Sequence, residues 1–157
     1  MNITRFTDYS LRVLIYTALH PHQLVTIKDI AQRYNISKNH LMKVVQSLST
    51  QGYLVSIRGK NGGIRLQREA NTINLGQVVR LHEQNSVLVE CFGDNNQCVI
   101  TPSCQLKGLL AQAMECFFAH LDNYSLADLV SAPQHAELHQ LLSVKSAPEL
   151  DASHSHL

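Results

Sequence analysis

The 157-residue chain has no tryptophan, only four prolines and seven glycines, and charged side chains at just 16% of its positions. Low Pro and Gly exclude a collagen-like or low-complexity chain, and 45% apolar residues are enough for one packed core. No apolar run approaches the ~20 residues that a membrane-spanning helix needs, so a membrane protein is not expected. The N-terminal MNITRFTDYSLR places polar and charged residues where a secretory leader would carry its apolar stretch, and the expected location is the cytoplasm. There, four cysteines read as reduced thiols or metal ligands rather than a disulfide framework. Also missing are a Cys-x-x-Cys redox pair, a Gly-rich nucleotide cradle and a His-Glu-x-x-His zinc motif. A thiol enzyme using Cys104 or a metal-dependent hydrolase therefore finds little support, and no enzymatic activity is expected.

The net charge of +1 conceals an asymmetry. Residues 1–70 carry ten Lys or Arg against three acids, and residues 71–157 carry three against nine. A basic, regularly patterned N-terminal half points to a polyanion, because cations that neutralise phosphates release counterions and so gain affinity.

Three helices are expected in that half. Phe6 to Leu19 is apolar on most sides and reads as a buried helix ended by Pro21. Thr26 is a good N-cap for a second helix bearing Ile27, Ile30, Ala31 and Tyr34, which Asn35 stops. Ser37 can cap a third, with Leu41, Val44, Val45 and Leu48 inward, Lys38, Asn39, His40, Lys43 and Gln46 outward, and Gly52 at its close. Two strands follow, Tyr53–Ile57 and Ile64–Arg68, around the basic tip Arg58-Gly59-Lys60-Asn61-Gly62-Gly63, where Asn61-Gly62 is the hairpin signal. The order is that of a winged helix-turn-helix: a mainly α fold with a small β-hairpin wing. On double-stranded DNA, Ser37, Lys38, Asn39, His40 and Lys43 would enter the major groove, with Asn39, His40 and Lys43 reading bases. Lys28, Arg58, Lys60 and Asn61 would meet the flanking backbone or minor groove.

Beyond residue 70, Asn71 to Glu83 has helical spacing. From Pro102 a long helix carries Leu106, Leu109, Leu110, Ala113, Met114, Phe117, Phe118 and Leu121, a stripe too wide for one small domain to cover. It is read as a dimerisation helix, giving a homodimer suited to two-fold sites. The expected organisation is a DNA-binding region over 1–70, a cysteine loop and dimerisation helix over 71–131, and a tail over 132–157 that holds at most a short helix before becoming disordered. His135, His139, His154 and His156 in that tail read as solvated side chains.

Cys91, Cys98 and Cys104 fall within fourteen residues as Cys-x6-Cys-x5-Cys, on a polar segment where thiols do little for packing. Thr101 is a plausible N-cap and Pro102 a first helical residue, which would set Cys104 in the first turn, where the helix dipole favours a thiolate. Structural zinc sites use pairs two to four residues apart, so zinc is disfavoured, whereas an iron-sulfur cluster tolerates wider loops. A disulfide switch between two of the three thiols remains open. Cys116 reads as a packing residue at the edge of the apolar stripe.

With Phe6-Thr7-Asp8-Tyr9, Asn39-His40, the wing tip, the three cysteines, Leu121-Asp122-Asn123-Tyr124 and Leu126-Ala127-Asp128-Leu129 in view, the chain resembles the Rrf-type winged-helix iron-sulfur regulators, in particular their nitric-oxide-sensitive repressors. The resemblance spans roughly residues 1–131. It implies a homodimeric repressor holding one 2Fe-2S or 4Fe-4S cluster per subunit on Cys91, Cys98 and Cys104, with nitric oxide as the signal that releases operator DNA. A fourth, non-cysteine ligand is implied as well. The assembly-regulator branch uses a histidine three residues after the last cysteine, where this chain has Lys107, which has no lone pair to give. The nitric-oxide branch implies Asp8, reaching across the dimer. Read by itself, Asp8 is equally an acidic residue near a helix start, four residues before Arg12.

Overall fold

Thr4 opens the first helix, α1 (Arg5–Ala18), its hydroxyl accepting from the Thr7 amide. A carboxylate from 79 residues away completes the cap. Glu83 accepts from the Thr4 amide at 2.9 Å, from the Thr4 hydroxyl at 2.8 Å and from the Thr7 hydroxyl, so the donors orphaned at the helix start are satisfied by a distant element. This computed structural model describes residues 2–84 and 87–143. Within α1, buried Val13, Leu14, Tyr16 and Ala18 mix with buried Thr7, Ser10 and Thr17. Ser10 and Thr17 bond back to the carbonyls of Phe6 and Val13, so their burial leaves no hydroxyl unpaired.

The second helix, α2 (Ile27–Tyr34), starts on a reciprocal capping box between Thr26 and Asp29 and ends at Asn35 in the left-handed region, φ 52°. The third, α3 (Lys38–Thr50), buries Leu41, Val44, Val45 and Leu48 as its spacing predicts. Ser37 occupies the N-cap position, but its hydroxyl makes no capping bond. Gly52 leaves the helix at φ 74°, a conformation costly for a side chain with a Cβ.

The wing pairs β1 (Leu54–Ile57) with β2 (Gly63–Leu66) antiparallel, Ile57 opposite Gly63. Residues 58–62 therefore form a five-residue loop. The hairpin expected around Arg58 to Gly63 is present; Asn61 keeps a negative φ and the positive φ of the loop falls at Gly59, 119°. Gly62 is needed for another reason, since a Cβ there would run into the carbonyls of Ile57 and Gly59. Val25 and Ile64 exchange backbone bonds of 3.0 and 2.8 Å, which tie the wing to the link before α2.

The helix expected from Asn71 begins later. Residues 70–72 form a 3₁₀ turn, and α4 (Leu75–Glu83) starts only after Asn74, whose side chain accepts from the Gln77 amide. A second correction concerns Thr101 and Pro102, which lie in a 3₁₀ turn, so that α5 (Gln105–Leu121) has Cys104 at its N-cap rather than in its first turn. Two short helices follow, α6 (Leu126–Leu129) and α7 (Gln134–Ser143). The chain after α5 folds back, with the Leu126 amide on the Ile73 carbonyl at 2.8 Å and the Leu75 amide on the Tyr124 carbonyl at 3.0 Å. Leu126 is thereby fully buried in the same core as Leu14, Ile30, Leu41, Leu48 and Val78. The core thus runs across residue 70. Gly76 permits the crossing, because a Cβ there would collide with the side chain and amide of Asp122. Arg80 fixes it, donating to Asp122 at 2.5 Å and Glu115 at 3.1 Å with its guanidinium 4.9 Å from the Phe118 ring centroid.

From residue 134 to 143 the chain is helical and lies against α2, where Arg33 donates to the Ser143 carbonyl at 3.3 Å. His139 stacks on His135, ring centroids 6.1 Å apart, and lies tilted against His20 at 5.5 Å. His154 and His156 lie outside the described residues.

Candidate DNA-binding face and thiol loop

Helix α3 stands on a fully apolar inner face, which fixes its outer face as a rigid platform. On that platform Lys38, Asn39, His40 and Lys43 are all exposed, as is Ser37 just before it. A groove of about 770 Å³ lies between α3 and the wing, lined on one side by Asn39, Met42, Lys43 and Gln46 and on the other by Ser56 and Arg58, with Ile27 contributed by α2. Arg58, Lys60 and Asn61 are exposed on the wing loop, and Lys28 is exposed on α2.

The expected base readers divide between two faces. Asn39 and Lys43 line the groove, whereas His40 lies on the α1 side, 6.3 Å from Tyr9 ring to ring, in a smaller pocket shared with Arg5, Phe6, Lys43 and Val44. Adjacent residues on a helix are rotated by about 100°, so Asn39 and His40 cannot share one direction. Sequence reasoning missed Met42 and Arg5; the signal for Met42 was a large apolar residue off the inward spacing.

The cysteine loop has a different construction. Among the described residues from 87 to 121 none is buried. Cys98 is exposed, Cys91 and Cys104 are half-buried, and all four cysteines of the chain are free thiols. Cys116 also is exposed, so in the protomer it packs against nothing that would bury it. Local bonds shape the loop: Glu90 accepts from the Gln97 amide at 2.5 Å, Asn96 accepts from the Cys98 amide at 3.0 Å, and the Asn96 amide donates to Thr101 at 2.9 Å. The Thr101 hydroxyl is also turned to the Cys98 carbonyl at 2.8 Å, which is why it does not cap α5.

Asp8 pairs with Arg12 one turn along α1, at 3.0 Å to Nε and 2.9 Å to the guanidinium terminus. Arg12 also lies 6.0 and 5.7 Å from the ring centroids of Tyr9 and Tyr34. Burial pushes the Tyr34 hydroxyl up to about 12 against the opposing pull of Arg12, so it stays a neutral donor. In chemistry, three free thiols with no packing role fit an iron-sulfur group. In geometry, no three Cys, His, Asp or Glu side chains among the described residues lie close enough to hold one metal ion, so the protomer alone does not draw the thiols together.

The apolar side of α5 is half-buried at Leu110, Met114, Phe117, Phe118 and Leu121 but uncovered nearer its start, with Leu106 60% and Leu109 61% exposed beside Val99 and Ile100. No helix among the described residues is long and apolar enough to cross a membrane.

Comparison with known proteins gives a consistent answer. Residues 3–132 match the model of the Rrf2 family, described as iron-dependent transcriptional regulator. The chain is 48% identical over 145 residues to the HTH-type transcriptional regulator NsrR of Bacillus licheniformis, covering 91% of this chain and 100% of that one. Against the NsrR of Bacillus subtilis the figures are 49% over 147 residues, with 92% and 99% coverage. Among solved structures, the oxidized form of Staphylococcus aureus CymR superposes with a TM-score of 0.69 at 26% identity, over 83% of this chain and 97% of that one. An IscR from T. potens shares the fold, with a TM-score of 0.68 at 23% identity over 89% of this chain and 91% of that one.

Proposed function

Since this chain belongs to the Rrf2 family and is a transcriptional regulator rather than an enzyme, we propose that it is a nitric-oxide-sensing repressor that binds double-stranded operator DNA as a homodimer. The observation that carries the DNA reading is the groove between α3 and the wing, where Asn39, Lys43 and Arg58 meet at the basic end of an asymmetrically charged chain. Ser37, Lys38, Asn39 and Lys43 present the major-groove face, with His40 at its α1 edge and Lys28, Arg58, Lys60 and Asn61 on phosphates or the minor groove. The uncovered side of α5 would be covered by its counterpart in the second subunit, which brings two recognition helices to two half-sites.

Cys91, Cys98 and Cys104 would hold one iron-sulfur cluster per subunit, 2Fe-2S or 4Fe-4S, with Asp8 as the fourth ligand across the dimer; Asp8 would then have to leave Arg12. When bound, the cluster supplies iron that nitric oxide attacks. The chain's own part is mechanical. The loop runs from the end of α4 to the start of α5; α4 packs on α1, and α1 packs on α3. A change in how residues 91–104 are tied therefore reaches the reading helix through two packed interfaces.

A second reading keeps DNA binding and makes the free thiols the sensor through a disulfide, favoured by the exposure of Cys98 and the unpaired state of all three thiols. Native mass spectrometry of protein purified without oxygen separates the two. A dimer carrying iron and sulfide that loses DNA on addition of nitric oxide supports the first reading, and Cys→Ala at any of the three positions should abolish that response. A metal-free dimer, reproducible after attempted cluster reconstitution, would leave the thiol switch.

A further inference from the structure

The wall of α3 that faces the wing carries more than the side chains so far given to base reading. Asn39, Met42, Lys43 and Gln46 follow at i, i+3, i+4 and i+7, one continuous stripe along the groove. Met42 is the exception among the large apolar residues of this helix. Leu41, Val44, Val45 and Leu48 are all buried, whereas Met42 is 49% exposed and takes no part in the core. It stands between an amide at position 39 and an amide at position 46, opposite Ser56 and Arg58 of the wing. The backbone beneath Gln46 is already satisfied, its carbonyl accepting from the Thr50 hydroxyl at 3.0 Å.

An apolar side chain between two amides is the complement of an A·T-rich major-groove edge. Thymine presents a 5-methyl group, which an apolar contact can cover, and adenine presents N7 as acceptor and N6 as donor, which a side-chain amide can meet with two bonds. Guanine would set its O6 acceptor against the amide oxygen, so such a pair discriminates as well as binds. Resting on the reading of α3 as the recognition helix, we infer that Met42 and Gln46 are specificity-determining residues: Met42 covers a thymine methyl and Gln46 pairs with an adenine in each half-site. Lys43, between them in the stripe, supplies charge common to any sequence. His40, turned to Tyr9, lies off this reading edge.

The test uses full-length protein purified without oxygen. Duplexes are first selected from a random pool by the wild-type protein. The selected duplex is then remade with each thymine replaced in turn by uracil, which removes only the methyl, and each adenine by 7-deazaadenine, which removes only N7. Wild type should lose about fourfold in affinity at one uracil position, the worth of one covered methyl group. At one 7-deazaadenine position it should lose about fivefold, the lower end for a bidentate pair. Met42→Ala should abolish the uracil penalty and keep the deaza penalty, and Gln46→Ala should do the reverse. Both side chains are exposed, so unchanged thermal melting shows that the fold is intact. Variants that bind every duplex more weakly by one common factor, with both penalties retained, would overturn the inference while leaving DNA binding in place. Failure of the wild-type protein to select or bind any duplex would overturn the inference and the functional reading together.

Discussion

Between residues 13 and 79 the chain buries a continuous set of Val, Leu, Ile and Tyr side chains, whereas among the described residues from 87 to 121 not one is buried. The first region also holds most of the cations, and the second contains all four cysteines, three of them within one loop. Side chains that bury nothing cannot fix their own arrangement, so the first region is shaped by its core and the second by whatever it meets outside the protomer. Under the proposed function this division would suit the protein, with a rigid reading head and a signal-receiving part held by fewer contacts.

The contrast is broken most severely at α5. Replacing Leu106 and Leu109 together by Glu places charge on side chains that are 60% and 61% exposed in the protomer, so the first region should melt within about 0.5 kcal/mol of wild type. Dimer mass in sedimentation should be lost, and affinity for a two-half-site duplex should fall by a hundredfold or more, since two linked contacts become one. A double variant that sediments as a dimer would mean that another surface joins the subunits.

Leu126 tests where the first region ends. It comes from beyond α5 yet is fully buried with Leu14 and Ile73. Leu126→Ala should cost about 3 kcal/mol, read as a lower urea midpoint at constant m-value. A loss within the range of surface substitutions would place residues 122–130 outside the cooperative unit. Gly76→Ala attacks the same joint by crowding, pressing a Cβ into Asp122. Overpacking of this kind costs about 1–3 kcal/mol in equilibrium unfolding. An unchanged midpoint would show that Asp122 and the α5 end can shift freely.

These two positions also mark where the sequence stopped being readable. Helices α2 and α3 could be placed because Thr26 with Asp29, Asn35 and the spacing of Leu41, Val44, Val45 and Leu48 are local signals, and local chemistry decided them. Cys104 was misplaced by one turn because Thr101 had a second option, bonding Cys98 and Asn96 within the loop instead of capping the helix. The wing was legible as a hairpin because Gly and Asn cluster between two apolar runs, but which residue takes the positive φ was not, since the Ile57–Gly63 pairing leaves five residues to be bridged and the positive φ falls at Gly59. Glu83 on Thr4 and Thr7, Gly76 against Asp122 and Leu126 on Ile73 are contacts across 46 to 79 residues that no spacing rule encodes. The candidate site divides in the same way: helical periodicity named Lys38, Asn39, His40, Lys43 and Gln46 as exposed, but only the groove showed Met42 among them and set Gln46 beside it.

The smallest effect is expected at the end of α4, where the two regions join. His82 sets its ring edge-on to Phe6 at 5.1 Å, and its Nε2 is buried with no hydrogen-bond partner among the described residues. Burial holds its pKa below the usual 6.5, with the Glu83 carboxylate pulling weakly the other way. The neutral ring is therefore the form that the fold accepts. As pH falls through about 6.5 the unfolded chain takes up a proton that the folded chain refuses, so stability is full above that pH and declines as pH drops towards the lower folded value. The chain has nine histidines, so the measurement must be a difference. Wild type and His82→Gln are unfolded in urea at pH 7.5 and again at pH 5.5, and the variant should lose less stability between the two. Equal losses would mean that acid weakens the chain elsewhere, and that the joint between its dense and open regions is indifferent to pH.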